Sequence, residues 1–365
     1  MIQFYKRKIE WEISLGSATK IHDEIHSGSF ECYNIQGMNI KPISTVELSA
    51  AILCFEKCCS SYSEVFEFAK SIANDIWSFT VVCDFEYKKC NTKVQHALHY
   101  GISICFMGNA VDFICVNSVE DFETKFKVIE EYRRFEKLPR CVYSSNLATF
   151  PLIFHNSAAA TLAHEVFGHI FEVDNFHRYN YSNILNLLQT LRINICDDPL
   201  IVGSPGFYTV DDMGIKAKQT IVLRNGILNG LIGCQDSGYM VNNALRRENY
   251  DQPCYPRMSN LLVTSTSSKK HPKPSQYVQI DKLSKCFIYH NEKTVELNVD
   301  FSFLHDKNAD IPLKPFKLKF GVSDLLEKLT IIDGGDMTLR PIQCAKHNQV
   351  INCGISTPDW MISYG

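Results

Sequence analysis

The stretch Ser157-Ala158-Ala159-Ala160-Thr161-Leu162-Ala163-His164-Glu165-Val166-Phe167-Gly168-His169-Ile170-Phe171-Glu172 places two histidines and a glutamate in an otherwise apolar segment. Its alanine-rich beginning and the absence of Gly or Pro before Gly168 predict a helix. The helix itself carries apolar residues on nearly every side, which predicts that it is buried in the core. Unpaired polar groups are costly in such a place. A divalent metal would explain the histidines, because imidazole nitrogen is a common zinc ligand.

The spacing of the two histidines differs from that of the usual zinc-protease helix. In His-Glu-x-x-His the histidines are at positions i and i+4, about 40° apart around a regular helix. Here His164 and His169 are at i and i+5, about 140° apart by the same geometry, so a regular helix could not bring both to one metal. A one-residue bulge near Gly168 would realign them, and such bulges concentrate at functional sites. The alternative is two unrelated histidines on a core helix.

A catalytic zinc takes three protein ligands and leaves one position open for water. The residues alone do not decide which side chain is the third ligand. A lone cysteine, for example, is more often a buried apolar residue than a ligand. The candidates are three residues near the helix and two distant ones: Glu172, Asp174, His177, Cys344 and His347.

Glu165 directly follows the first histidine, which keeps it near a water on the metal. A carboxylate so placed is a candidate general base that takes a proton from this water. An ionised carboxylate with no partner on an apolar helix would carry a high burial cost, so a purely structural role is unattractive.

The motifs of this chain resemble those of the TldD/PmbA metallopeptidases. His164 to Asp174 resembles H-E-x-x-G-H-x-x-E-G-D of the catalytic members. Further matches occur in the same order downstream: Asp211-Asp212-Met213-Gly214 with D-D-E-G, Ile221 to Gly230 with L-I-E-N-G-x-L-x-G, Pro256-Arg257-Met258-Ser259-Asn260 with P-R-M-T-N, and Cys344-Ala345-Lys346-His347-Asn348-Gln349 with C-G-K-x-G-Q. Ordered motifs over about 155 to 355 are far more specific than any one of them.

This resemblance implies a ligand set and roles for its neighbours. It implies that His164, His169 and Cys344 bind Zn²⁺, with Glu165 as the catalytic base; thiolate coordination suits zinc rather than a harder ion. Glu172 and Asp174 would then orient a histidine or cap the helix, and His347 would be an exposed replacement at a variable position. Asp211, Asp212 and Arg257 also match family motifs, but we expect structural turns or ion pairs there.

Two departures from the family pattern concern the substrate. The family's Glu-Gly-Asp becomes Glu172-Val173-Asp174, which removes a flexible residue without changing a ligand. The Gly-rich segment expected after P-R-M-T-N is replaced by the Ser-, Thr- and Lys-rich residues 264–274. Because the resemblance implies that this neighbourhood helps hold an extended peptide, we expect a specialised relative with its own substrate.

The length and the distribution of elements predict an α+β fold with two domains. At 365 residues the chain can form two cores. We expect a shortened TldD-like N-terminal α+β domain over 1–140. A sheet-rich metal-binding catalytic domain would follow over 141–365. The helix predicted over Ser157–Glu172, called the motif helix below, would be buried against its sheet. Predicted helices include 45–59, 64–79, 119–137 and 236–246.

The composition excludes several classes of protein. A net charge of −3 with no basic run gives no reason to expect a nucleic-acid partner. No apolar run reaches the roughly 18 residues of a membrane span, and the N-terminus lacks the apolar core of a signal peptide. Fifteen cysteines, an odd number at irregular spacing, indicate reduced thiols. We therefore expect a cytoplasmic protein.

The functional expectation is a cytoplasmic zinc metallopeptidase that hydrolyses small or unfolded peptides. The resemblance implies removal of leaders from ribosomally made, modified peptides, or another step in their maturation. It also implies a homodimer, or a heterodimer with a TldE/PmbA-like paralogue that lacks the metal motif. The alternatives are a non-catalytic peptide-binding partner subunit and a metal-dependent enzyme that modifies peptides.

Overall fold

The computed structural model combines large, mostly antiparallel sheets with helices, so the α+β prediction is confirmed. The structure describes residues 2–363 except for 16, 35–36, 42–44, 91–92, 107–108, 117, 137, 145–146, 180, 234–239, 243, 250, 266–270, 307–308 and 333–336.

The N-terminal half is one antiparallel sheet with three helices. Its strands are β1 (Ile2–Ser14), β2 (Ser17–Asn34), β3 (Gly37–Lys41), β4 (Trp77–Cys90), β5 (Lys93–Phe106) and β6 (Asn109–Cys115). Its helices are α1 (Thr45–Ser60), α2 (Ser63–Ile72) and α3 (Val119–Glu136). The strand order is β3-β2-β1-β4-β5-β6. Both α1 and α2 contact β1 and β4 at the centre of the sheet.

The prediction of a helix over 64–79 is wrong at its C-terminal end. Helix α2 ends at Ile72, and β4 begins at Trp77. The side chain of Asn74 accepts hydrogen bonds from the backbone N–H groups of Ile76 and Trp77, both at 2.9 Å. This local turn offers the backbone an alternative to the helix, which apolar spacing alone does not reveal. The helix predicted over 45–59 is confirmed as α1.

Among the described residues, the C-terminal half contains the other seventeen strands and the motif helix. Its strands are β7 (Leu152–Phe154), β8 (Ile193–Asp197), β9 (Thr220–Arg224), β10 (Ile227–Leu228), β11 (Gly230–Ile232), β12 (Met240–Asn242), β13 (Leu245–Arg246), β14 (Tyr255–Pro256), β15 (Asn260–Ser265), β16 (Tyr277–Tyr289), β17 (Thr294–Asp306), β18 (Ala309–Pro312), β19 (Phe316–Gly321), β20 (Leu329–Ile331), β21 (Arg340–Lys346), β22 (Gln349–Ser356) and β23 (Trp360–Ile362). Its α-helices are α4 (Asn156–Ala163), α5 (Val173–Phe176), α6 (Tyr181–Leu191) and α7 (Val322–Lys328). Shorter helical turns cover Leu147–Thr149, His164–Gly168 and His169–Phe171.

Two large sheets enclose the motif helix. One has the order β10-β9-β8-β15-β22-β21, and the other has the order β18-β17-β16-β7-β23-β20 with β19 beside β17. Helix α4 contacts β16 of one sheet and β21 and β22 of the other. Ala158, Ala159, Ala160, Leu162 and Ala163 are each at most 1% exposed. Small alanine side chains let both sheets approach the helix, and the predicted buried helix packed on a sheet is confirmed.

The helix predicted over 236–246 is wrong where the structure can test it. Residues 234–239 and 243 lie outside the described residues. Within the rest, Met240–Asn242 pairs with β11 as a parallel strand, and Leu245–Arg246 pairs with Tyr255–Pro256. Pairing with neighbouring strands overrides the local helical spacing.

Polar contacts join the two halves, while their buried apolar residues form separate clusters. The Lys88 ammonium lies 2.5 Å from the Asp212 carboxylate, and both side chains are buried. Gln95 Oε1 accepts hydrogen bonds from the Thr209 and Val210 backbone N–H groups. Separate cores with a polar junction are what two domains would show; the boundary between 140 and 141 stays a prediction.

We expect Lys88→Met to lower the free energy of unfolding by about 3–5 kcal/mol, because it leaves the Asp212 carboxylate buried without its ammonium partner. Urea unfolding followed by circular dichroism measures the change.

Lys127→Met is the matched control for this substitution. Lys127 pairs with Glu123 at 2.9 Å, but both side chains are exposed, and exposed pairs contribute about 0–1 kcal/mol. Equal urea midpoints for the two variants would contradict a stabilising role for the Lys88–Asp212 pair.

Candidate metal centre

The motif helix changes its hydrogen-bond pattern at the first histidine. Helix α4 ends at Ala163, and His164–Gly168 forms a π-helical turn in which the His169 backbone N–H donates to the His164 carbonyl. This is the bulge that the i, i+5 spacing requires, and the prediction of a distorted helix is confirmed. The imidazole rings consequently face each other, with centroids 4.8 Å apart and planes at 87°.

Gly168, the last residue of the π-turn, packs against the Pro256–Asn260 segment. A Cβ atom at Gly168 would lie 2.4 Å from both Sδ and Cε of Met258, which is fully buried. A glycine at this position therefore lets Met258 pack directly against the turn. Two segments that look independent in the sequence are thus in contact beneath the histidines.

Strand β21 brings Cys344 to the two histidines. The three residues are buried, and one potential ligand atom from each lies within 4.8 Å of the others. Cys344 Sγ is 3.6 Å from His169 Nε2. A tetrahedral zinc with Zn–N of about 2.1 Å and Zn–S of about 2.3 Å would separate such atoms by about 3.6 Å. In the described chain His164 Nδ1 is also buried without a hydrogen-bond partner. These donors fit a zinc ion.

The other candidate ligands lie elsewhere. Glu172 is fully buried, but its carboxylate contacts the His169 Nδ1 atom, on the far side of the ring from Cys344. Asp174 is an ion-pair partner of Lys346. His177 and His347 are exposed, and the His347 ring packs on Tyr255. The choice of Cys344 that the family resemblance implied therefore agrees with the geometry.

A chain of charges holds the ring of His169. Its Nδ1 atom lies 2.8 Å from Glu172 Oε2, and the Lys346 ammonium donates to the same oxygen at 2.9 Å. Lys346 also donates to Asp174 at 2.9 Å and to the Pro256 carbonyl at 3.0 Å. A carboxylate behind a histidine fixes the ring orientation and directs the other nitrogen towards a metal.

The electrostatics favour an ionised thiol in this cluster. Burial opposes ionisation of Cys344, but a hydrogen bond with Cys353 and the charge of His169 outweigh it and hold the pKa of Cys344 well below its usual range. Burial likewise opposes ionisation of Glu172, yet His169 and Lys346 lower the pKa of that carboxyl. The thiolate is the form of cysteine that binds metals.

Glu165 lies at an open cavity of about 500 Å³ that the two histidines also line. Its carboxylate accepts a hydrogen bond from the Ile288 backbone N–H at 3.2 Å. Burial raises the pKa of Glu165, and the charges of His169 and His164 oppose the increase only in part. A raised carboxyl pKa near a candidate metal is typical of a general base.

His290, which lines this cavity, and its partner Tyr179 have no counterpart in the sequence prediction. His290 lines the cavity, and its Nδ1 atom lies 2.6 Å from the hydroxyl oxygen of Tyr179. Neither residue belongs to a motif quoted above. Their separation of 111 residues in the chain leaves no spacing signal that could have indicated the contact.

Asp211, Asp212 and Arg257 have contacts within the fold. Asp211 accepts hydrogen bonds from the backbone of its own turn, at Met213 and Ile215. Asp212 pairs with Lys88. Arg257 is fully buried and donates to the Cys344 carbonyl, which supports the strand that carries this cysteine. These contacts agree with the structural roles expected for the three residues.

Comparisons with known proteins agree with the motifs. Residues 148–303 match the model of the PmbA/TldA metallopeptidase C-terminal domain. These residues thus match a C-terminal domain of the TldD/PmbA metallopeptidases. It is 26% identical over 233 residues to a metalloprotease TldD homolog of Buchnera aphidicola, which covers 58% of this chain and 46% of that protein. It is 25% identical over 224 residues to a metalloprotease of Archaeoglobus fulgidus, with 55% and 52% covered.

The chain thus spans about half the length of these TldD/PmbA relatives. The fold is similar over nearly the whole chain to the crystal structure of TldE from Thermococcus kodakarensis. The TM-score is 0.63 at 13% identity, and the match covers 99% of this chain and 95% of the other. At this identity the likeness establishes the fold alone.

We expect Lys346→Met to weaken zinc binding about 10- to 100-fold, because losing the ammonium leaves Glu172 less firmly placed behind His169. Competition with a chromophoric chelator measures the affinity.

Lys285→Met provides the matched control, since Lys285 is an exposed lysine that lines the same cavity. Unchanged zinc affinity in Lys346→Met would show that Glu172 needs no cation to orient His169.

Proposed function

We propose that this chain is a zinc-dependent peptidase that hydrolyses small or unfolded peptides. The observation that supports the proposal most directly is the convergence of His164, His169 and Cys344 on one point beside Glu165, at the wall of an open cavity. Three protein donors with one open position are the usual arrangement of a catalytic zinc.

Glu165 is the proposed base of this reaction. Zinc held by the three donors would lower the pKa of a water and polarise a carbonyl group. The Glu165 carboxylate takes the proton of the attacking water, and the Ile288 N–H holds that carboxylate in place. The same carboxyl then delivers the proton to the leaving amine nitrogen. The balance of the reaction is one water added across one peptide bond.

The edge of β16 suits an extended peptide. In the described residues β16 pairs with β7 only through Val278–Ile280. Beyond that point Leu283–Ile288 lines the cavity, while its other edge pairs with β17. Apart from the Ile288 N–H, which binds Glu165, the main-chain groups of this edge can add an extended chain through hydrogen bonds that require no particular side chains. This supports a peptide substrate, and a cavity of about 500 Å³ favours small or unfolded peptides over folded domains.

The narrower parts of the proposal rest on the family resemblance. Within it, the substrate is a ribosomally made, modified peptide that needs leader removal or a related maturation step. The protein works as a homodimer or with a TldE/PmbA-like paralogue, and a relative of similar fold is named TldE. We place it in the cytoplasm. In the described chain no helix has the length and apolar character needed to cross a membrane.

The altered 264–274 segment leaves a different reaction on a peptide open as an alternative. Residues 266–270 lie outside the described residues. Of the remainder, Ser265 and His271 line a different cavity, formed with Leu187 and Leu329. A peptide-modifying enzyme and a non-catalytic binding subunit remain the alternatives, and product masses distinguish them. Hydrolysis adds one water across two fragments, modification changes the mass of one product, and binding alone changes nothing.

We expect about one zinc per chain in the wild-type protein purified without added metal, and a large loss in both His164→Ala and Cys344→Ala. Elemental analysis makes the measurement. The physical reason is that a tetrahedral site loses a third of its protein ligands in each variant. Zinc retained in Cys344→Ala would point to a local third ligand. Wild-type protein that lacks zinc even after zinc is supplied would contradict the peptidase.

We expect Glu165→Gln to keep its zinc and lose about 10²- to 10⁴-fold in peptide hydrolysis, because the amide cannot accept the proton of water. Mass spectrometry of a mixture of short unstructured peptides measures the products.

Glu292→Gln is a suitable control, since it makes the same change at an exposed surface position. Hydrolysis at the wild-type rate by Glu165→Gln would exclude this residue as the base.

A further inference from the structure

Two hydrogen bonds tie the turn after β16 to the segment after the motif helix. The Tyr179 hydroxyl lies 2.6 Å from His290 Nδ1, and the Arg178 guanidinium donates to Asn291 Oδ1 at 3.1 Å. The Tyr179 ring is only 5% exposed and packs edge-on against the His290 ring. Consecutive residues on one segment thus hold consecutive residues on the other, so the His290 ring has a fixed place.

The contact with Tyr179 also selects the tautomer of His290. In the described structure His290 is the hydrogen-bond partner of the Tyr179 hydroxyl, and a buried O–H without an acceptor would be costly. The hydroxyl therefore donates to Nδ1, which leaves the proton of a neutral imidazole on Nε2. Burial, with the charge of His169, lowers the pKa of His290 to about 4, so the ring is neutral at pH 7.

His290 and Glu165 line the same cavity. His164 and His169 line it too, and the charge of His169 acts on His290. Burial raises the pKa of Tyr179, and the negative charge of Glu165 raises it further. The phenol therefore stays protonated and can act as the donor. A neutral N–H donor and a carboxylate base thus share one site.

We propose that the Nε2–H group of His290 binds the carbonyl oxygen of the scissile peptide bond and stabilises the charge that forms there, with Tyr179 as its positioning residue. The inference rests on the proposed peptidase. As the oxygen of water bonds to the carbonyl carbon, the π electron pair of the C=O bond moves to its oxygen. His290 donates a hydrogen bond to that oxygen and keeps its proton. When the C–N bond breaks, the pair returns to the C=O bond and the amine nitrogen receives the proton from Glu165.

Kinetic measurements can distinguish this role of His290 from a purely structural one. A donor whose hydrogen bond strengthens as charge forms on the oxygen stabilises the transition state more than the bound substrate, so its removal lowers kcat more than it changes KM. We expect His290→Ala to lower kcat about 10²- to 10³-fold with wild-type zinc content. His290→Gln, whose amide can also donate, should recover part of the loss, and Tyr179→Phe should fall between the wild type and His290→Ala.

The experiment compares these variants in peptide hydrolysis and in binding of a phosphinic peptide of the same sequence, which mimics the tetrahedral carbon. In His290→Ala the inhibition constant should rise by the same factor as kcat/KM falls. His177→Ala is the control, since His177 is an exposed histidine on the segment that carries Tyr179. Equal inhibition constants for the wild type and His290→Ala would overturn the inference.

The proposed function is tested separately in the same assay. If Glu165→Gln loses activity while His290→Ala keeps the wild-type kcat, only the role of His290 is wrong. If the zinc-loaded wild type hydrolyses no peptide, both proposals fail. If His290→Ala folds poorly, Tyr179→Phe still tests the inference. This variant keeps the aromatic ring in the core, and the inference requires that it lower kcat.

Discussion

The π-helical turn at His164–Gly168 is the constraint on which the rest of the site depends. It converts an i, i+5 spacing into a pair of facing imidazoles. The turn is held between two sheets because the helix before it is built from alanines, and Gly168 lets Met258 pack against its backbone. A regular α-helix of the same sequence would turn one histidine away from the other. Packing against the sheets and Met258 therefore helps to hold the distorted geometry of the turn.

The surroundings of the turn are arranged around the ring of His169. Glu172 binds one side of this ring and Cys344 approaches the other. Lys346, two residues after the cysteine, neutralises Glu172 and also reaches the Pro256 carbonyl. One strand thus supplies both a candidate ligand and the cation that supports its neighbour. Burying these charges without such pairing would be costly, so the network is as much a condition for folding as for chemistry.

The cavity beside this centre combines groups from three parts of the chain. Glu165 comes from the π-turn, the cavity-facing part of β16 is Leu283–Ile288, and the turn after β16 carries His290. The Ile288 N–H holds Glu165, and the Tyr179 hydroxyl holds His290. Glu165 and His290 therefore each have a fixed partner, and these two groups need little reorganisation when charge develops during a reaction.

Much of this protein could be predicted from its sequence because the decisive signals are local. The alanine-rich run and the residues His164, Glu165 and His169 predict a buried helix with metal chemistry, and most long strands and helices have clear periodicity. Apolar spacing failed where hydrogen bonding decides: the end of α2 depends on the Asn74 turn, and Met240–Asn242 pairs as a strand with β11. Only the tertiary structure brings Cys344 to within 3.6 Å of His169 across 175 residues of chain. It alone places Lys346 behind Glu172 and His290 against Tyr179. The physical reason is that sheet pairing and core packing set these distances, and neither leaves a trace in the spacing of residues along the chain.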